Sequence, residues 1–177
     1  ISIELENMYG ATLDCGVEKT GDNQVIKFYL EALNDNFIPE KENLMKKSLE
    51  LLLEIAFNPL VENNEFNEEY FKSEKDNLAQ LIESKIDNKD LYAYEKCTEK
   101  MYEGKPYSLY KYGYKEDLEN LTSKEIYNYY IELLKSAKID IFVSGEFNEK
   151  DIENILNENE NIGKLNERDP EYIVNTE

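Results

Sequence analysis

The hydrophobic pattern runs from the end of a helix through two strand-like stretches and then turns helical. Ile3 and Met8 are the apolar positions of a helix end that Gly10 is placed to stop. Ala11 to Glu18 and Gln24 to Leu33 read as two strands. In the second, Val25, Ile26, Phe28, Leu30 and Ala32 are apolar, with Lys27 and Glu31 breaking in. The Thr20-Gly21-Asp22-Asn23 stretch between them has the composition of a hairpin turn.

Helical spacing takes over from about Glu40 to Phe57. Pro39 suits the first turn, Leu44, Ser48, Leu51, Leu52 and Ile55 share a face, and Asn58-Pro59 ends the helix. A second helix starts at the N-cap residue Asn67. Its face is Tyr70 or Phe71, Glu74, Leu78, Leu81, Ile82 and Ile86, before Asp87-Asn88-Lys89-Asp90 interrupts it. Leu91 to Tyr102 is helical again, and Glu103-Gly104-Lys105-Pro106 breaks it. A connector with Tyr107, Tyr110, Tyr112 and Tyr114 leads to the clearest helix. There Thr122-Ser123-Lys124-Glu125 is a capping box, and Ile126, Tyr129, Tyr130, Leu133 and Leu134 follow as an inward stripe. Ile139 to Gly145 reads as a short buried strand, and Asn148 to Leu156 as a helix with Ile152, Ile155 and Leu156 inward. Strands separated by a long helical stretch predict an α+β fold, with one mixed or antiparallel sheet and helices packed mainly on one face. The expected domain is a single unit over residues 1–160, with a polar linker at 161–177. Ile1 rather than Met leads the sequence, so we expect a piece of a longer chain.

Composition narrows the chemistry. The 177 residues carry 20 Lys+Arg against 39 Asp+Glu, a formal charge of -19, which speaks against nucleic acid and anionic membranes as partners. The longest apolar run, Leu51 to Leu53, stops at Glu54, far short of a membrane span. The absence of histidine removes the usual general base and every His-containing zinc site. Cys15 and Cys97 form no CxxC and no disulfide framework, so we expect free thiols in the cytoplasm. Without a histidine to activate it, Cys15 reads as a buried small hydrophobe rather than a nucleophile. The acidic runs Glu62, Glu65, Glu68, Glu69 and Glu153, Glu158, Glu160 lack calcium-loop spacing and read as solvated faces. The connector tyrosines stay open as a binding platform.

One series of motifs stands out by order and spacing. Tyr9-Gly10-Ala11 opens the two-strand unit and Phe57-Asn58-Pro59-Leu60 breaks the first long helix. Next come Glu74-Lys75-Asp76-Asn77-Leu78, Ile86-Asp87-Asn88-Lys89, Gly104-Lys105-Pro106-Tyr107 and Leu121-Thr122. Ile139 to Phe147, with Gly145-Glu146, closes the series. Over residues 5 to 157 this resembles the first-domain core of the insulinase/pitrilysin family of zinc metallopeptidases, which includes the mitochondrial processing peptidases. It is most similar to a bacterial non-catalytic type that occurs beside an active partner and is linked by name with elongation factor P modification.

The resemblance implies a LuxS/processing-peptidase-like fold and zinc in active members, held by an upstream His-x-x-Glu-His motif and a distal Glu. Glu74 stands at the family's supporting acid position. The distal ligand position is Leu81, which offers no lone pair to a metal, and Glu83 does not share the face of Glu74. The resemblance therefore implies no catalytic residue and no zinc or other cofactor in this chain. It also implies that Gly10, Ala11, Thr12, Leu13, Asp14, Cys15 and Gly16 form a strand edge for substrate. Expected partners are a peptide or unfolded polypeptide, and an active homologue or a second copy of the chain. Two alternatives remain: an active zinc-dependent endopeptidase whose metal motif lies upstream, and a plain interaction domain.

Overall fold

A computed structural model describes residues 1–162; most of the expected linker at 161–177 lies outside the described residues. The described elements run α1 (Ser2–Asn7), β1 (Thr12–Thr20), β2 (Asn23–Glu31), α2 (Leu44–Phe57), β3 (Val61–Glu62), β4 (Glu65–Phe66), α3 (Glu68–Ser84), α4 (Lys89–Met101), α5 (Lys115–Leu118), α6 (Ser123–Ser136) and α7 (Glu149–Glu158). The class is α+β, as the alternation of patterns predicts. Among the described residues the strands form two separate two-stranded sheets, β1–β2 and β3–β4, rather than one.

Two compact units emerge. Among the described residues, the first holds 1–12, 31–59 and 127–162. Its core is Leu49 and Leu53 of α2 against Ile152 and Ile155 of α7, with Met45, Phe57, Val143 and Leu156 packed around them. Burying each such side chain is worth about 1.5–3 kcal/mol. Helix α2 begins at Leu44, four residues later than the spacing suggests, and Pro39 lies outside it. The Asp35 carboxylate sets that start. It accepts from the amides of Glu42 and Asn43 at 2.8 Å and of Leu44 at 3.0 Å, while Asn43 is left-handed at φ 57°. The Leu51-Leu52-Leu53 run makes α2 apolar on several sides, and the side that is buried is Leu44, Leu49 and Leu53. At α7 the Asn148 side chain caps by accepting from the Lys150 amide, and Ile152 and Ile155 point inward as expected.

Two expectations for this unit fail. Residues 139–145 form no strand among the described residues, and Phe142 is 92% exposed, with Ile139 and Ile141 also exposed. An apolar run becomes a strand only when a neighbour supplies its hydrogen bonds, and no described strand lies beside this one. Tyr129 is 63% exposed, so the inward stripe of α6 excludes it. Tyr130, one residue on, does turn in and donates its hydroxyl hydrogen to the Ala56 carbonyl at 2.8 Å.

The second unit holds residues 13–30 and 60–126. Gly21, first in the β1–β2 turn, takes φ +58°, the backbone that a tight hairpin requires. A turn of two residues joins antiparallel neighbours. The small β3–β4 hairpin pairs Val61 with Phe66 and Glu62 with Glu65 around Asn63 and Asn64, both at positive φ. The Asn67 side chain caps α3 by accepting from the amides of Glu69 and Tyr70. Ile82 and Leu118 are buried, and the Lys75 ammonium donates to the carbonyls of Glu119 and Leu121, each at 3.1 Å. Asn88 caps α4. The capping box at α6 forms as expected: Thr122 Oγ1 accepts from the Glu125 amide at 3.2 Å, and Glu125 Oε2 accepts from the Thr122 amide at 3.0 Å.

Candidate functional site

Helix α3 carries both positions that bear on metal chemistry. Glu74 and Leu81 are seven residues apart, two helical turns, so they share one face. Both are exposed, Leu81 by 44%. Leu81 therefore does not lie on the buried stripe that its spacing with Leu78 and Ile82 suggests. Of the three, Ile82 is buried and Leu78 half-buried, because the packed face of α3 is narrower than the apolar pattern. Among the described residues no group of three His, Cys, Asp or Glu side chains is placed to hold a metal ion. A leucine, one carboxylate and no histidine do not fit the zinc that the family resemblance implies.

The expected strand edge is a turn followed by half of β1. Gly10, at φ +76°, and Ala11 both donate to the Leu5 carbonyl at 3.1 Å, which closes the end of α1. Thr12, Leu13, Asp14, Cys15 and Gly16 lie in β1, which has β2 on one side and no other described strand beside it. Cys15 is exposed rather than buried. Partial desolvation and the neighbouring Asp14 charge push its thiol up from the ordinary value, the opposite of nucleophile activation. Its backbone amide donates to the Asp14 carboxylate at 2.9 Å, so one polar group of the segment is already engaged.

A cavity of about 390 Å³ in the second unit gathers side chains from the end of β1, from α4 and from the tyrosine connector. The Lys85 ammonium sits 4.3 Å from the centroid of the Tyr110 ring, and that of Lys19 sits 4.7 Å from the Tyr107 ring. Lys19 also donates to the carbonyls of Tyr107 and Leu109, and desolvation there holds its ammonium below the ordinary lysine value. Burial and the nearby Glu95 charge raise the Tyr110 hydroxyl. Glu95 Oε2 is closed off from solvent with no hydrogen-bond partner. The sequence marks the connector tyrosines as open. It does not foretell that Lys19, Lys85 and Glu95, from three distant stretches, join them.

No family model matches the chain. A protein of Bacillus subtilis (strain 168) named probable inactive metalloprotease YmfF is 28% identical over 152 residues, covering 86% of this chain and 36% of that protein. The chain is metalloprotease-like, and its relative is named inactive. The crystal structure of a conserved protein from Enterococcus faecalis V583 matches with a TM-score of 0.81 at 26% identity, over 89% of this chain and 37% of that one. The chain thus spans little more than a third of the length of either relative. No helix of the described residues is long and apolar enough to cross a membrane.

Proposed function

We propose that this chain belongs to a protein of insulinase/pitrilysin type that does not itself hydrolyse peptides. In this reading it binds extended or unfolded polypeptide and forms part of a chamber with an active homologue, in the cytoplasm. The observation that carries the reading is Leu81, exposed two turns after Glu74 at the position where a metal-binding carboxylate would have to stand. A helix face that displays a leucine there can shape a cavity wall but cannot polarise a water. The name of the Bacillus relative supports the loss of activity. Exposed thiols at Cys15 and Cys97 accord with a reducing compartment.

Polypeptide capture would use β1, whose far edge has no described strand on it. Main-chain hydrogen bonds there are tolerant of substrate sequence. The edge is guarded lightly: Asp14 is the only charge from Gly10 to Gly16 and there is no proline. Amide hydrogen exchange with and without a reduced, alkylated unfolded polypeptide tests the reading. The free-edge amides of Ala11 to Gly16 should exchange fast in the free protein and slow when the polypeptide is added. Full protection with no polypeptide present would show an edge already paired. One zinc per chain by elemental analysis would overturn the non-catalytic assignment.

A further inference from the structure

We propose that the cavity beside β1, α4 and the tyrosine connector takes an aromatic side chain of a bound polypeptide. The proposal rests on the polypeptide-binding reading above and names the side chain that the docked strand would carry. At about 390 Å³ the space falls in the range of small-ligand pockets.

Glu18 and Lys19, consecutive residues of β1, both line the cavity. Successive side chains of a strand point to opposite faces, so a space touched by both lies off the strand's edge rather than over one face. No described residue of β2 lines it, which puts it on the edge away from β2. That is the edge proposed to capture polypeptide at Ala11 to Gly16. Glu18 follows Gly16 by roughly 7 Å along the strand. A polypeptide laid along the edge therefore brings a side chain to the cavity within a few residues.

The charges of the wall answer one another. Glu18 pairs with Lys27, and Glu99 with Lys96 at 2.7 Å. Lys85 adds its field to the same Glu99 carboxylate, and Glu95 adds its own to the Lys19 ammonium, which also donates to two backbone carbonyls. Lys111 lies over the Tyr112 ring, 4.6 Å from its centroid. A charged side chain entering here would compete with these pairings, whereas a neutral one leaves them intact. The rest of the wall is apolar. Leu91, Tyr94 and Leu109 line the space and are exposed, so the packing of the unit leaves much of their surface unused. Tyr92, Tyr107 and Tyr110 add three more rings. An aromatic side chain can meet such rings by edge or by offset face, which an aliphatic one cannot.

Calorimetric titration with short Thr/Gln peptides, carrying a single Phe moved stepwise along the sequence, tests the proposal. Amide exchange at Ala11 to Gly16 is followed on the same complexes. Phe at one favoured position should tighten binding roughly tenfold or more over the peptide without it, the value of burying one aromatic side chain. Glu or Lys at that position should bind no tighter than the parent peptide. Leu109→Ser and Tyr94→Ala change exposed side chains, so each should keep the melting temperature. Each should shrink the Phe preference while leaving the parent peptide's affinity unchanged. Equal binding of all the peptides, a preference for Glu or Lys, a Phe preference undiminished in both variants, or N-acetylphenylalanine amide binding as tightly as the peptide would overturn the proposal. Peptides that slow exchange at Ala11 to Gly16 with no preference for Phe would leave strand capture standing and refute this assignment alone. A Phe preference lost in both variants, with exchange at Ala11 to Gly16 unchanged, would do the reverse. No binding by any peptide would overturn both.

Discussion

The α2–α7 pair and the β1–β2 hairpin both carry apolar side chains, and they use them in opposite ways. Leu49, Leu53, Ile152 and Ile155 bury against one another. In the hairpin no residue is buried, and Ile26, Phe28 and Tyr29 are exposed. A two-stranded hairpin with no fully buried side chain is marginal by itself. This one is pinned by polar bonds to the connector backbone: Lys19 donates to Tyr107 and Leu109, and Gln24 Nε2 donates to the Lys111 carbonyl at 2.6 Å. Packing carries the helical pair, whereas hydrogen bonds to the connector position the hairpin.

The largest expected effect separates the two regions directly. Leu53→Ala removes a buried side chain from the α2–α7 core and should cost about 2–5 kcal/mol in urea denaturation. Phe28→Ala in the hairpin should cost less than about 1 kcal/mol, because the ring is already 40% exposed. Equal losses would mean that the hairpin is packed as a core element, and the contrast would fail. The next effect sharpens it from the polar side. Lys19→Met deletes both donations to the connector and should cost about 1–2 kcal/mol. Faster amide exchange should be confined to β1 and β2. Acceleration spread through α2 and α7 would show that the hairpin is not an independently held piece.

A smaller effect comes from the capping box of α6, where stability again rests on polar geometry. Thr122→Ala should cost about 1 kcal/mol. The Thr122 hydroxyl, then its amide, donates to Glu125 and holds that carboxyl below the ordinary glutamate value. A group with a lowered folded value stabilises fully above its unfolded value and loses that contribution as pH falls through the folded one. The parent protein should therefore lose stability more steeply than Thr122→Ala as pH drops through the acid side of the carboxylate range. Parallel pH profiles would remove Glu125 from the account.

Local chemistry was legible in the sequence where one stretch of chain decides the outcome. The Thr122–Glu125 box, the Asn67 cap, the Gly10 stop and the Gly21 turn all follow from residues that act within a few positions of themselves. The Asn63-Asn64 hairpin follows the same logic and carried a usable signal, since paired asparagines tolerate the positive φ it needs. Long-range outcomes were not legible. The start of α2 is set by Asp35, nine residues before Leu44, and no periodicity reports a carboxylate that accepts three amides at a distance. Ile139 to Gly145 has strand composition but no described neighbour, and composition cannot supply one. The cavity draws Lys19, Lys85 and Glu95 from separate elements, so only the tyrosines of the connector announced it. Leu81 illustrates the limit most directly. Its register relative to Glu74 follows from counting, whereas its exposure depends on how much of α3 the rest of the unit covers.

The smallest expected effect is Leu81→Glu, and it bears on function more than on stability. Were the side chain on the packed stripe with Ile82, the substitution would bury an unpaired carboxylate and cost several kcal/mol. With 44% of the residue exposed, the new carboxylate can reach water, and the change in unfolding free energy should stay within about 0.5 kcal/mol. The variant places Glu74 and a second glutamate on one helix face two turns apart. It should still bind no stoichiometric zinc, because two carboxylates without nitrogen ligands do not complete a catalytic set. Urea denaturation and elemental analysis of the same preparation read the two outcomes separately. A loss of several kcal/mol would return Leu81 to the interior. One zinc per chain, acquired by the variant and absent from the parent, would mean that other groups already stand ready to ligate and that this position alone had silenced the site.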